Sequence, residues 1–78
     1  MKLTFFGRLR DAVGARQIEC SVPTTIADSE ALRLWIGMEH PVLLDATVRI
    51  ALDDVLTSGP APIAGVAEAA FLPPVSGG

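Results

Sequence analysis

The chain has 78 residues, half of them hydrophobic and 19% charged, and its nine acidic and six basic side chains leave a net charge of -3. That balance excludes a disordered polar chain, and the scatter of Arg8, Arg10, Arg16, Arg33 and Arg49 argues against nucleic acid or an anionic membrane as partner. A single cysteine, Cys20, and a single histidine, His40, allow neither an internal disulfide nor a metal cluster of familiar spacing.

Size and compartment follow from the same composition. A chain this short fits one domain, which buries only about 60% of the surface its unfolded form exposes, so the core must be compact and nearly continuous. Met1 to Phe6 lacks the apolar run of a signal peptide, because Gly7 and Arg8 interrupt it. No stretch approaches the roughly 20 apolar residues that span a bilayer, and with one unpaired cysteine a reducing cytoplasm is the expected compartment.

Lys2 to Phe6 sets Leu3 and Phe5 against Lys2, Thr4 and Phe6, a period of two that predicts a first strand with one buried face. Arg8 to Val13 carries Leu9, Ala12 and Val13 at helical spacing before Gly14, which predicts a short helical turn closed by a left-handed glycine. Ile18, Cys20 and Val22 alternate with Gln17, Glu19 and Ser21, so Gln17 to Val22 is a second strand, antiparallel to the first and ended by Pro23. Thr25 and Asp28 form a near capping box, with Thr25 as the cap, opening the main helix. Leu32, Trp35 and Ile36 make the helix's buried stripe and Glu30 and Arg33 face solvent. Gly37 begins its unwinding, His40-Pro41 interrupts it, and Val42, Leu43 and Leu44 add one further turn over the core.

Thr47 to Leu52 alternates again, with Val48, Ile50 and Leu52 on one side, and precedes the turn signal Asp53-Asp54. Val55-Leu56 is a short fourth strand. The Ser58-Gly59-Pro60-Ala61-Pro62 loop follows, Ile63 returns to the core, and Glu68 to Leu72 is the last strand, its β-propensity weak apart from Phe71. The whole describes an α+β domain over residues 1–72, one main helix packed on a mixed sheet of four to five strands, which is the β-grasp (ubiquitin-like) arrangement in outline.

Residues 73–78, Pro73-Pro74-Val75-Ser76-Gly77-Gly78, end the strand with two prolines and finish in two glycines, so a flexible projecting arm is expected. Without Cβ atoms, Gly77 and Gly78 can thread a narrow channel and present the terminal carboxylate to a buried active site. That carboxylate is inert toward sulfur until adenylation by ATP supplies a leaving group for an attacking persulfide or thiol.

Phe71-Leu72-Pro73-Pro74-Val75-Ser76-Gly77-Gly78 resembles the terminal signature of the molybdopterin synthase small subunits, within the ubiquitin-like sulfur-carrier superfamily. Leu3-Thr4-Phe5-Phe6-Gly7-Arg8-Leu9-Arg10-Asp11-Ala12-Val13-Gly14 is similar to that family's opening strand and turn, and Thr25-Ile26 through Ala31-Leu32-Arg33 to its helix. The resemblance implies that Gly78 is adenylated, becomes a thiocarboxylate and donates sulfur to a pterin precursor to build a dithiolene. Gly77 would give clearance, and Phe71, Leu72, Pro73, Pro74, Val75 and Ser76 would contact the partner. The partners implied are the large synthase subunit, which holds the catalytic residues in a heterotetramer, and a ubiquitin-activating-like adenylyltransferase/sulfurtransferase. This chain would be a non-catalytic sulfur donor with no metal and no tightly bound cofactor, ATP being used by the activating enzyme.

Two turns depart from the family's usual Val-Asn-Gln-like and Gly-Asp-Glu-like sequences, at Leu52-Asp53-Asp54 and Val66-Ala67-Glu68, and the change of polar groups predicts either a looser entry to the sheet or an altered choice of partner. Phe71 reads first as core, leaving Leu72 to face a partner, and Cys20 reads as packing. The same fold and terminus also suit a carrier for thiamine or tRNA thiolation, or a ubiquitin-like modifier that forms isopeptide bonds.

Overall fold

Leu3 and Phe5 point the same way from strand β1 (Lys2–Phe5) and are at most 1% exposed in the computed structural model, which describes residues 1–74. Helix α1 (Arg8–Val13) follows, buries Leu9, and closes on Gly14, whose φ of 85° is left-handed and whose N–H donates to the Arg10 carbonyl. Strand β2 (Gln17–Glu19) then pairs antiparallel with β1, Ile18 opposite Leu3. It is shorter than the expected Gln17 to Val22. The ladder closes where the Cys20 N–H donates to the Met1 carbonyl at 3.0 Å, although Cys20 and Val22 still pack against the core.

Helix α2 (Ser29–Gly37) is capped by Asp28, not Thr25: the Asp28 carboxylate accepts from the Ala31 N–H at 2.8 Å. Thr25 lies in the preceding turn, where the Ile26 N–H donates to the Pro23 carbonyl. Leu32 and Ile36 are buried and Trp35 packs half-buried beside them, as the helical spacing predicts. Arg33 does not face solvent. Its side chain is 12% exposed and folds back over the 3-10 turn Pro41–Leu44, where Nη1 donates to the carbonyls of Leu43 (3.3 Å) and Asp45 (3.1 Å). Leu43 in that turn is fully buried and covers the end of the core.

Strands β3 (Arg49–Leu52) and β4 (Val55–Leu56) form a hairpin whose two-residue loop, Asp53-Asp54, has φ of 46° and 70°. Positive φ at both central residues matches the twist of the flanking strands, and Asp tolerates it better than most side chains. The ladder begins at Arg49 and not at Thr47, because Asp45 takes the preceding amides: its carbonyl accepts from Val48 and its carboxylate from the Thr47 N–H and hydroxyl. Those hydrogen bonds hold the Asp45 carboxyl below its usual range.

Strand β5 (Glu68–Leu72) is the centre of the sheet, parallel to β1 and antiparallel to β3, in the order β2-β1-β5-β3-β4. Its entry is not loose. The Asp53 carboxylate accepts from the N–H groups of Ala67 (3.1 Å) and Glu68 (2.9 Å), and the Asp53 N–H donates to the Glu68 carbonyl (2.9 Å), so the hairpin turn and the start of β5 are fastened together. Ala69 and Phe71 are fully buried, and the rings of Phe5 and Phe71 stack with centroids 5.5 Å apart. Helix α2 packs on this side of the five-stranded mixed sheet, which is the β-grasp arrangement. No described helix is long and apolar enough to cross a membrane.

The loop between β4 and β5 is held to the start of α2 by Ser29, which is fully buried. Its Oγ accepts from the Ala61 N–H at 3.0 Å while its own N–H donates to the Ala61 carbonyl at 2.9 Å. Ser29→Ala orphans a buried amide, which costs about 1–3 kcal/mol. Urea unfolding is expected to show a lower midpoint with unchanged slope.

Candidate functional site

The central strand delivers the chain's C-terminal segment to one end of the sheet. Phe6 N–H donates to the Phe71 carbonyl at 3.1 Å, and the last paired residues are Leu72 and Arg49. Pro73 has no N–H with which to continue the ladder, and Leu72 and Pro73, each followed by a proline, are confined to extended backbone. Leu72 and Pro73 are half-buried and Pro74 is exposed. Val75, Ser76, Gly77 and Gly78, which the sequence assigns to docking and to chemistry, lie outside the described residues. Phe71 is not a docking residue: with no exposed surface and its ring on Phe5, it belongs to the core.

The face of the sheet opposite α2 is built by the other half of each strand's alternation. Strand register sets Gln17, Thr4, Ala70, Ala51 and Leu56 in one row across it. A second row runs Glu19, Lys2, Glu68, and the Thr4 hydroxyl donates to the Glu68 carboxylate between the two. Leu72 and Arg49 form the row nearest the arm. The face is therefore charged at the end far from the arm, and nearer the arm it carries Leu72 and Leu56, the latter 51% exposed, beside Arg49. A shallow groove of about 400 Å³ lies there, lined by Thr47, Arg49, Leu56, Leu72, Pro73 and Pro74.

Arg49 is the cation of this groove. Its guanidinium makes one long hydrogen bond, Nη2 to the Thr57 carbonyl at 3.4 Å, and no described carboxylate pairs with it. Its position suits an acidic group on a partner. The Thr47 hydroxyl at the groove's edge donates to the Asp45 carboxylate at 2.7 Å. Among the described residues no cluster of His, Cys, Asp and Glu could hold a metal ion. Cys20 lies half-buried at the β2 end of the sheet, and burial pushes its thiol up, away from the thiolate form that reacts. The arrangement can bind a partner's surface and hold the arm's root beside it.

The sequence alone leaves Arg49 on a solvated face by default and does not single out Leu56. Val55-Leu56 looks like ordinary strand, and only the register, with Leu56 opposite Ala51 and Ala51 opposite Ala70, shows that Leu56 shares a helix-free face with the arm's root. The signal that was available is the Asp53-Asp54 turn: a two-residue hairpin fixes which side of β4 each residue takes.

The ThiS family pattern matches residues 3–78 of the chain. Among solved structures, the protein SAMP1 from Haloferax volcanii is 24% identical with a TM-score of 0.73, over 99% of this chain and 97% of that one. A protein from Pyrococcus furiosus assigned as molybdopterin converting factor, subunit 1, is 22% identical with a TM-score of 0.68, over 95% of each chain. The small archaeal modifier protein 1 (SAMP1) from Methanosarcina acetivorans is 20% identical with a TM-score of 0.66, over 99% of this chain and 94% of that one. No curated protein matches. These likenesses agree with the β-grasp topology.

Burial separates the two neighbours at the end of β5. Phe71→Ala is expected to lose about 3–5 kcal/mol of stability. Leu72→Ala, which uncovers a half-buried side chain, should lose about 1 kcal/mol. Paired denaturant titrations read both.

Proposed function

This chain belongs to the ThiS family, within the ubiquitin-like sulfur-carrier superfamily, and from that premise we propose that it is the sulfur-carrier subunit of a molybdopterin synthase. The observation that carries the reading is the meeting, at one end of a β-grasp sheet, of an apolar open face with the root of an arm whose sequence ends Gly77-Gly78. The resemblance of Phe71 through Gly78 to the synthase small subunits supports the choice of pathway, as does the assigned name of the Pyrococcus furiosus neighbour.

The chemistry then proceeds at the terminal carboxylate. A Gly78 carboxylate oxygen attacks the α-phosphorus of ATP on the activating enzyme, forming an acyl adenylate and releasing pyrophosphate. Sulfide displaces AMP to give the thiocarboxylate directly; a persulfide displaces AMP to give an acyl disulfide, whose S–S bond a second thiol cleaves, releasing the thiocarboxylate and leaving a disulfide behind. On the large subunit its sulfur attacks a carbon of the pterin precursor, a C–S bond replacing a C–O bond whose oxygen departs, and hydrolysis of the acyl–sulfur bond leaves the sulfur on the pterin and regenerates the Gly78 carboxylate. The domain supplies recognition: Leu56, Leu72, Ala51 and Ala70 give an apolar surface, Arg49 meets a carboxylate, and the glycines let the arm enter a channel too narrow for side chains. ATP is the activating enzyme's substrate, the catalytic residues belong to the large subunit, the assembly is a heterotetramer, and the cytoplasm is its compartment.

A second reading is a protein modifier joined to lysines by isopeptide bonds, favoured by the name shared by the two SAMP1 neighbours, written out for one of them as small archaeal modifier protein 1. Both readings require adenylation; the acceptor distinguishes them. Incubation with the activating enzyme, ATP and a sulfur source should raise the intact mass by one sulfur-for-oxygen exchange, localised to Gly78. An unchanged mass with a competent enzyme sinks the sulfur-carrier reading. One residue added after Gly78 should abolish pterin sulfuration, and Gly77→Val should block it, both with unfolding curves like the parent's. Cys20→Ala should load sulfur as the parent does.

A further inference from the structure

We propose that Gly7 is a positioning residue: by carrying no side chain it leaves room for the ring of Pro73 and so sets the direction in which the C-terminal arm leaves the sheet. The proposal rests on the carrier reading above. Gly7 follows β1 directly and turns the chain into α1 with φ 56° and ψ -135°, its carbonyl accepting from the Arg10 N–H at 3.2 Å. A Cβ placed on Gly7 would lie 3.0 Å from Pro73 Cγ and 3.8 Å from Cδ. Ordinary carbon contacts are about 3.5–4.0 Å, so the ring stands close over a bare backbone and would have to give by a few tenths of an ångström to admit a methyl group.

One of the two sides must yield when that space is filled, and the structure indicates which. Gly7 is held from before and after: the Phe6 N–H donates to the Phe71 carbonyl, the Leu9 N–H to the Phe6 carbonyl, and the Leu9 side chain is fully buried. Pro73 is past the last ladder pair, half-buried, and without an N–H to anchor it. Its ring is part of its backbone, so displacing the ring displaces the chain. Pro74 restricts Pro73 in turn, and a tilt at one proline is passed on by the next without being absorbed. Of the groove's lining, Pro73 and Pro74 move with the arm, whereas Thr47, Arg49 and Leu56 are on other strands and Leu72 is held in the ladder opposite Arg49.

Contact with Pro73 can be separated from strain at Gly7 itself, where φ 56° is costly for any L side chain. The measurement is the rate of sulfur loading by the activating enzyme with ATP and a sulfur source, as kcat and KM, for the parent, Gly7→Ala, Pro73→Ala and the double variant. Gly7→Ala should lower kcat about tenfold or more while KM stays within about twofold, since the domain still docks and the carboxylate is misdirected. Pro73→Ala removes the ring, so the double variant should be no slower than Pro73→Ala alone. Slowing in the double that equals the product of the two single effects would overturn the proposal. If Gly7→Ala does not fold, as circular dichroism would show, Pro73→Ala decides alone: a lowered kcat with parental KM and stability supports the proposal, and a parental kcat overturns it. Failure of the parent to load sulfur sinks the carrier reading itself, whereas a loaded parent and an equally fast Gly7→Ala sink only the role of Gly7.

Discussion

The parallel pairing of β1 with β5 is the constraint on which the other features depend. It joins residues at opposite ends of the chain, Leu3 to Ala69 and Phe5 to Phe71, so the intervening segment must cross over the sheet before β5 can be laid in place. Helix α2 makes that crossing and covers the side of the sheet where Leu3, Phe5, Ala69 and Phe71 are buried. The Phe5 and Phe71 rings stack at the end of the pairing. Because the two strands run the same way, the end of β1 and the end of β5 meet, and this brings Gly7 to Pro73. A core contact and the exit of the arm are thus fixed by one piece of topology.

The same topology divides the protein's tasks by face. Alternation sends large apolar side chains toward α2 and leaves small ones, Ala51 and Ala70, in the middle of the open side. Small residues make that side flat, and flatness suits contact with a partner's surface more than capture of a small molecule. The chemistry proposed for the chain occurs at its terminus, on groups brought by other proteins.

Much of the fold is legible in the sequence because a period of two and a helical stripe each leave a direct trace. Leu3 and Phe5, Leu32 and Ile36, and Val48, Ile50 and Leu52 are all core, as their spacing predicts. What escapes is set by long-range partners. Thr25 looks as good a cap as Asp28 until the Pro23 to Ile26 turn is seen, and Arg33 is polar by type yet is drawn inward by two carbonyls on another segment. Glu68 to Leu72 has weak strand character of its own, yet it is central because two neighbours fill its ladders on both sides. For the candidate site, Val75 to Gly78 lie outside the described residues, whereas Leu56 and Gly7 acquire meaning only from the register and contacts that place them beside the arm's root.

The outer strands of the sheet have a further consequence. They are β2, three residues long, and β4, two residues long, and the second ends where the Thr57 N–H and hydroxyl both donate back to the Ile50 carbonyl. Rims this short give another chain too few free backbone groups to add itself as an extra strand. Strand exchange and stacking of copies are discouraged, even though half of the residues are apolar. Partners are left with side-chain contacts on a flat surface and with the arm, which release more readily than a shared hydrogen-bond ladder. A carrier that must leave one protein to deliver to the next is served by such easy parting.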